Sequence, residues 1–242
     1  MAGVGIDSTV RAGVWRRWVG QPHSLWLRRA LFQIHLWSGL ALGLYIVMLS
    51  LTGSILVFNR ELNRFFATPG EKFSTGQWAV LWLARLHDEL LLGRDGQWWN
   101  GVLSLAVTVL VFTGLVVWWP GVSRWRRSLG VRRSAGWRRF NWDLHSALGI
   151  WLGLFLLMWG VSGFYLGVPE PFTHLSEQVA NPETGQSPGD TILAWLARLH
   201  FGRWRTMLWL RVVWAIIGLV PAIMFITGAV MWWNRVLRHR AL

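Results

Sequence analysis

Four histidines recur at matched positions in the two halves of this chain. Arg28-Arg29, five residues and then His35 with Gly39 and Gly43 is repeated as Arg138-Arg139, five residues and then His145 with Gly149 and Gly153. Leu83-Ala84-Arg85-Leu86-His87 returns unchanged as Leu196-Ala197-Arg198-Leu199-His200, and Thr113-Gly114 ahead of Trp118-Trp119 returns as Thr227-Gly228 ahead of Trp232-Trp233. Residues kept in both copies of a duplication have resisted drift, so the paired histidines share a paired task. The chain has no cysteine, which excludes disulfides, thiolate metal sites, iron–sulfur clusters and covalently attached c-type haem. Any metal centre therefore falls to histidine. His23, His174 and His239 lack a counterpart in the other copy and carry no predicted role.

The elements that must position these residues are membrane helices. A chain of 242 residues that is 53% hydrophobic, 14% charged and holds 21 Trp has the composition of an integral membrane protein. Four runs, 34–58, 102–119, 144–168 and 212–233, are long and apolar enough to cross a hydrocarbon core of ~30 Å as helices. The first is too long for a signal-peptide core and no small-residue cleavage site follows it, so it reads as a mature helix. Arginines concentrate in the N-terminal arm (Arg11, Arg16, Arg17, Arg28, Arg29), the middle loop (Arg124, Arg126, Arg127, Arg132, Arg133, Arg138, Arg139) and the tail (Arg235, Arg238, Arg240). The two intervening loops balance their charges. Positive loops stay inside, which predicts a multi-pass membrane protein with both termini in the cytoplasm.

The expected fold is an all-α integral membrane protein whose four transmembrane helices form a tandem two-helix repeat. Its parts are a cytoplasmic arm (1–27), a first repeat (28–119), a basic linker (120–137), a second repeat (138–235) and a tail (236–242). The net charge of +13 does not point to nucleic acid. The excess sits at helix ends and is interleaved with Trp15, Trp18, Trp26, Trp125 and Trp137, a composition that suits anchoring to anionic membrane lipid.

Each copy contains two crossings, so both enter the membrane in the same direction and are related by a pseudo-two-fold axis along its normal. That sets His35 opposite His145 near the cytoplasmic side, and His87 opposite His200 near the other. A planar ligand lying across the axis meets one imidazole on each face, which is the symmetry of a haem with two axial histidines. A lone zinc ion would want four ligands at about 2 Å. Gly39 and Gly43 lie on the helix face of His35, and Gly149 and Gly153 on that of His145. They either open a slot for a porphyrin or let helices pack closely. Arg28, Arg29, Arg138 and Arg139 serve as topology determinants or as partners for haem propionates. Arg85 and Arg198, duplicated on the side where positive charge is otherwise rare, are the better propionate candidates. His87 and His200 sit in short amphipathic segments, 78–92 and 192–201, that read as interfacial helices; there a histidine is either a ligand or a polar tip.

Taken together, the His-x3-Gly openings, Leu51-Thr52-Gly53 with Val161-Ser162-Gly163, the Leu-His pairs and the Thr-Gly-x3-Trp-Trp endings resemble the PepSY-associated transmembrane helix family over residues 28–235. Members of that family include di-haem inner-membrane reductases tied to iron and siderophore uptake. The resemblance implies one or two b-type haems and electron transfer across the membrane. This chain departs from larger relatives in that its outer segments, 59–97 and 167–208, are too short for a folded PepSY domain, so it looks like a minimal form. It also has no Gly-x-Gly-x-x-Gly fingerprint and no room for a flavin domain, which calls for a separate electron donor, a cytoplasmic flavoprotein or a quinol.

Two axial histidines saturate an iron and leave no open position for O₂ chemistry. The expected function is transmembrane electron transfer to an outside acceptor such as a ferric chelate, as a haem-dependent reductase or an electron-transfer subunit. The alternative is a non-catalytic scaffold or accessory subunit of a larger redox complex, with its Trp residues as interfacial anchors.

Overall fold

A computed structural model describes residues 16, 19, 20, 25–134, 136–178, 188–202 and 207–236. Among these the chain is all-helical: α1 (Trp26–Ala41), α2 (Gly43–Leu56), α3 (Asn59–Phe65), α4 (Thr75–Glu89), α5 (Gly93–Trp118), a 3-10 turn (Trp125–Leu129), α6 (Trp137–Trp151), α7 (Gly153–Gly167), α8 (Glu170–Gln178), α9 (Pro188–His200), α10 (Leu208–Gly218) and α11 (Val220–Val236). Two stretches, Gly93–Trp118 and Leu208–Arg235, are long and apolar enough to cross a membrane. The count rises to four if α1 with α2 and α6 with α7 are each taken as one broken span.

The apolar runs at 34–58 and 144–168 are thus not continuous helices. Each breaks one residue before the second glycine of its His-x3-Gly-x3-Gly pattern, at Leu42 and Leu152, and Gly43 and Gly153 begin the next helix. Glycine is a weak helix former and a common site of kinks. Gly43 also has no room for a side chain, because a Cβ there would run into the Phe225 ring.

The chain divides into two compact units, and the division cuts across the sequence repeat. One unit takes residues 1–41, 110–153 and 226–242, and the other takes 42–109 and 154–225. Each unit draws matching pieces from both copies and so holds one histidine pair. In the first unit the 3-10 turn packs on α6, and Trp151 Nε1 donates to Leu129 O at 3.0 Å.

In the second unit α2 packs against α4 and α10. Its hydroxyls face inward: Ser50 and Thr52 are buried. Pro221 has no N–H to donate, and the run breaks between α10 and α11; Ser50 Oγ donates to the Gly218 carbonyl at 2.5 Å and accepts from Ala222 N at 3.3 Å. α5 and α7 meet through small residues, Gly101 at Gly167, Thr108 at Gly160 and Ser104 at Gly163, the close backbone approach that small side chains permit between membrane helices. α4 opens with a capping box, Gln77 N donating to Ser74 Oγ and Ser74 N to Gln77 Oε1. Two left-handed residues, Leu90 (φ 50°) and Leu91 (φ 61°), then end it abruptly, fixing where His87 falls relative to the start of α5.

Candidate functional site: two histidine pairs

In the first unit His35 of α1 faces His145 of α6, with ring centres 6.4 Å apart and planes at 80°. His35 Nδ1 lies 3.0 Å from Leu110 O and 3.2 Å from Thr113 Oγ1. The Thr113 hydroxyl donates its own hydrogen to Leu110 O at 2.8 Å, so it can only accept from the imidazole. The network thus assigns the ring proton to Nδ1, and Nε2 keeps its lone pair. His145 Nδ1 is 2.9 Å from Thr227 Oγ1, the matching hydroxyl of the second copy. Both threonines are buried. A Cβ on Gly114 would sit 2.8 Å from His35 Cε1, and one on Gly228 would sit 3.4 Å from His145 Cε1.

Two buried polar residues brace α6 around His145. Asn141 Nδ2 donates to Thr227 O at 2.9 Å. Asp143, 4% exposed, accepts from Arg139 Nε at 2.8 Å and from the backbone N and Nε of Arg132 at 3.3 and 3.2 Å. A carboxylate in an apolar setting needs such partners, and here they tie the basic linker to the helix that carries His145.

In the second unit His87 of α4 faces His200 of α9, with ring centres 6.3 Å apart and planes at 64°. The hydroxyl logic repeats. Thr52 Oγ1 donates to Met48 O at 2.8 Å and lies 2.8 Å from His87 Nδ1; Ser162 Oγ donates to Met158 O at 2.6 Å and lies 2.7 Å from His200 Nδ1. Both rings therefore donate from Nδ1. A Cβ on Gly53 would sit 2.9 Å from His87 Cε1, and one on Gly163 4.0 Å from His200 Cε1 and 2.7 Å from Ser104 Oγ. Asn100 Nδ2 donates to His87 O at 2.8 Å and its Oδ1 accepts from Tyr45 OH at 2.7 Å. In the other copy Trp159 Nε1 donates to His200 O at 3.4 Å. Burial pushes His87 down to about 4 and, with the neighbouring His87, His200 down to about 3, so both imidazoles are neutral at ordinary pH.

A recurring device thus serves the histidines: a Thr-Gly or Ser-Gly dipeptide on a neighbouring helix sets its hydroxyl beside Nδ1 of each ring, accepting from it at His35, His87 and His200, and at Gly114 and Gly53 the glycine leaves room for the ring edge. A sequence profile for the PepSY-associated TM region matches residues 32–72, 67–189 and 177–235, and these segments cover both histidine pairs and all four dipeptides. The chain belongs to the PepSY-associated TM region family. It is accordingly a membrane protein. One relative is an uncharacterized protein of Pseudomonas aeruginosa, 30% identical over 104 residues that cover 42% of this chain and 25% of that protein. The chain thus spans a quarter of that relative's length.

In this PepSY-associated TM protein the sequence-derived residues fall into two groups. His35 meets His145 and His87 meets His200. The glycines chosen from the histidine face sit elsewhere: Gly39 is 3.7 Å from Leu110 Cδ1 and Gly153 is 3.3 Å from Leu115 Cδ2, measured from an added Cβ, and Gly43 faces Phe225. Gly149 lies half-buried within α6. Arg85 and Arg198 are exposed, two residues and so roughly 200° around the helix from their histidines. Arg198 stacks over Trp195 at 5.0 Å. Thr52, Thr113, Ser162 and Thr227 are the site residues that sequence reasoning missed as such, although their Thr-Gly and Ser-Gly strings were visible as duplicated motifs.

The pairs have the dimensions of a bis-imidazole metal centre. With metal–nitrogen bonds of about 2.0 to 2.1 Å and about 1.1 Å from ring nitrogen to ring centre, two axial imidazoles set their centres about 6.3 Å apart. Among the described residues no three His, Cys, Asp or Glu side chains gather as metal ligands, so neither histidine pair has a third such side chain beside it. Neutral imidazole with Nδ1–H hydrogen-bonded and Nε2 free of its proton is the ligand form that metal-bound histidine takes.

Proposed function

We propose that each histidine pair holds one b-type haem, and that the protein carries electrons across the bacterial inner membrane to an acceptor outside, such as a ferric chelate. The observation that supports this most strongly is the match of both ring separations, 6.4 and 6.3 Å, to a two-imidazole metal centre, combined with hydroxyl acceptors that commit Nδ1 as donor. When bound, a haem with two axial histidines supplies one-electron cycling of its iron with no vacant position for oxygen chemistry.

The chain's own residues do the rest. His35, His145, His87 and His200 would hold the haem irons through Nε2. Thr113, Thr227, Thr52 and Ser162 fix the tautomer and the ring orientation, and a hydrogen bond to Nδ1–H makes an imidazole a more basic ligand. Gly114 and Gly53 admit the rings against their helices. Asn100 and Trp159 anchor the backbone of the outer histidines. In this reading the four apolar runs all span, both termini are cytoplasmic, and electrons enter at His35/His145 from a flavoprotein or quinol and leave at His87/His200.

The test is the visible spectrum of the detergent-purified protein, oxidised and dithionite-reduced, with a pyridine haemochrome count. Two b-type haems per chain, with one lost in each of His35→Ala and His87→Ala, is the expected result. A colourless protein from haem-replete cells would leave the scaffold reading standing.

A further inference from the structure

Three donors in the first unit are buried without a hydrogen-bond partner: Trp118 Nε1, Trp232 Nε1 and Arg28 Nε. Unsatisfied buried donors are costly and uncommon, and two of these three stand at equivalent positions of the two copies. That duplication argues against an accident of packing. Trp118 follows Gly114 by four residues and Trp232 follows Gly228 by four, so each indole shares a helix face with the glycine against which an axial histidine rests, about 6 Å further along.

Arg28 reaches the same place from another helix. It precedes His35 by seven residues, two turns on one face, and its Nη2 donates to Val117 O at 2.6 Å, the carbonyl just before Trp118. The scaffold alternative makes the Trp-Trp strings interfacial anchors. That suits Trp233, which is 57% exposed, but not the first member of each pair, whose indole nitrogen is turned inward. Two N–H dipoles and one guanidinium, all donors and none an acceptor, describe a receptor for an anionic oxygen ligand.

We infer that Trp118, Trp232 and Arg28 bind the propionate carboxylates of the haem at the His35/His145 pair. This rests on the haem reading of that pair. It keeps Arg28, one of the propionate partners the sequence offers, and adds two buried indoles, one from each copy, so the symmetry that supplies one histidine per face also supplies one indole donor per carboxylate. A lipid phosphate offers the same oxygen chemistry, but burial of all three nitrogens favours a ligand enclosed in the protein.

The test uses Trp118→Phe and Trp232→Phe in the full-length, haem-loaded protein, which keep an aromatic ring and delete the N–H, with Trp233→Phe as control for the loss of ring volume. Resonance Raman should show a shifted propionate bending mode for the haem that His35→Ala removes. A donor to a carboxylate offsets its negative charge and favours the reduced haem, so its loss should lower the reduction constant of that haem about 3-fold, a fall of about 30 mV at 59 mV per tenfold. The His87/His200 haem should not change. Two retained haems with propionate modes and potential both as in the wild type would overturn the inference while leaving the haem reading intact, whereas a colourless wild type would overturn the haem reading itself. Should a variant fail to fold, ultraviolet resonance Raman of the wild type decides. An indole N–H band that changes on haem loading supports the assignment; one that is unchanged by haem, or that responds instead to removal of phospholipid, overturns it.

Discussion

Replacing Thr52 by valine keeps the shape of the side chain and removes the oxygen that accepts the His87 Nδ1 proton. That bond is 2.8 Å long and the threonine is 5% exposed, so water cannot take the lost partner's place. Two effects follow. Loss of such an outer-shell partner typically weakens a metal–ligand site 10- to 100-fold, about 1.4 to 2.7 kcal/mol at 1.36 kcal/mol per tenfold. The imidazole also becomes a poorer electron donor, which disfavours ferric relative to ferrous iron. A differential of about 0.5 to 1 kcal/mol corresponds to a rise of about 20 to 45 mV at 59 mV per tenfold for a one-electron couple. Haem transfer to excess apomyoglobin measures the first effect and potentiometric titration the second. Thr52→Ser should restore both, since serine does this job at position 162. Thr113→Val should act more weakly than Thr52→Val, because His35 Nδ1 also reaches Leu110 O at 3.0 Å. A Thr52→Val protein that holds its haem and its potential as the wild type does would refute the tautomer argument.

Gly53→Ala and Gly114→Ala place a methyl 2.9 and 2.8 Å from the ring of a histidine, against 3.4 Å for Gly228→Ala; haemochrome counts should show haem loss in the first two and near-normal loading in the third. Glu61 tests the frame outside the site. Arg211, bonded to both of its oxygens, holds its carboxyl down at about 2 from an ordinary 4.5, so the pair's contribution is fully present above pH ~4.5 and lost as pH falls toward ~2. The Glu61 side chain is 47% exposed, which keeps the effect below about 1 kcal/mol. Thermal melts of Glu61→Gln should show a smaller loss of stability across that acid window than the wild type.

Much of this arrangement is legible in the residues alone. The two histidine pairs are equivalent positions of a duplicated sequence, and the fold brings the members of each pair together. The amphipathic segments at 78–92 and 192–201 become α4 and α9, yet His87 and His200 turn inward from them; amphipathic period alone does not say which polar residue of a surface helix finds a partner. Gly43 and Gly153 illustrate the limit further. On a helical wheel they share the histidine's face and suggest an open slot, whereas each begins a new helix after a break and packs against a neighbouring side chain, Phe225 at Gly43 and Leu115 at Gly153, which periodicity does not reveal. The hydroxyl partners were visible as duplicated Thr-Gly strings, but Thr52 precedes its histidine by 35 residues while Thr113 follows its own by 78. Only tertiary contacts join such pairs.

The most direct measurement on the central claim is low-temperature electron paramagnetic resonance of the oxidised protein, paired with a haem count. Parallel axial imidazoles split the iron d orbitals along a common direction, whereas crossed ones oppose each other and leave them nearly degenerate. Ring planes at 80° and 64° therefore predict two highly anisotropic low-spin ferric signals, one lost in His35→Ala or His145→Ala and the other in His87→Ala or His200→Ala. High-spin iron, a single signal untouched by one of the pairs, or no haem signal at all would contradict the account.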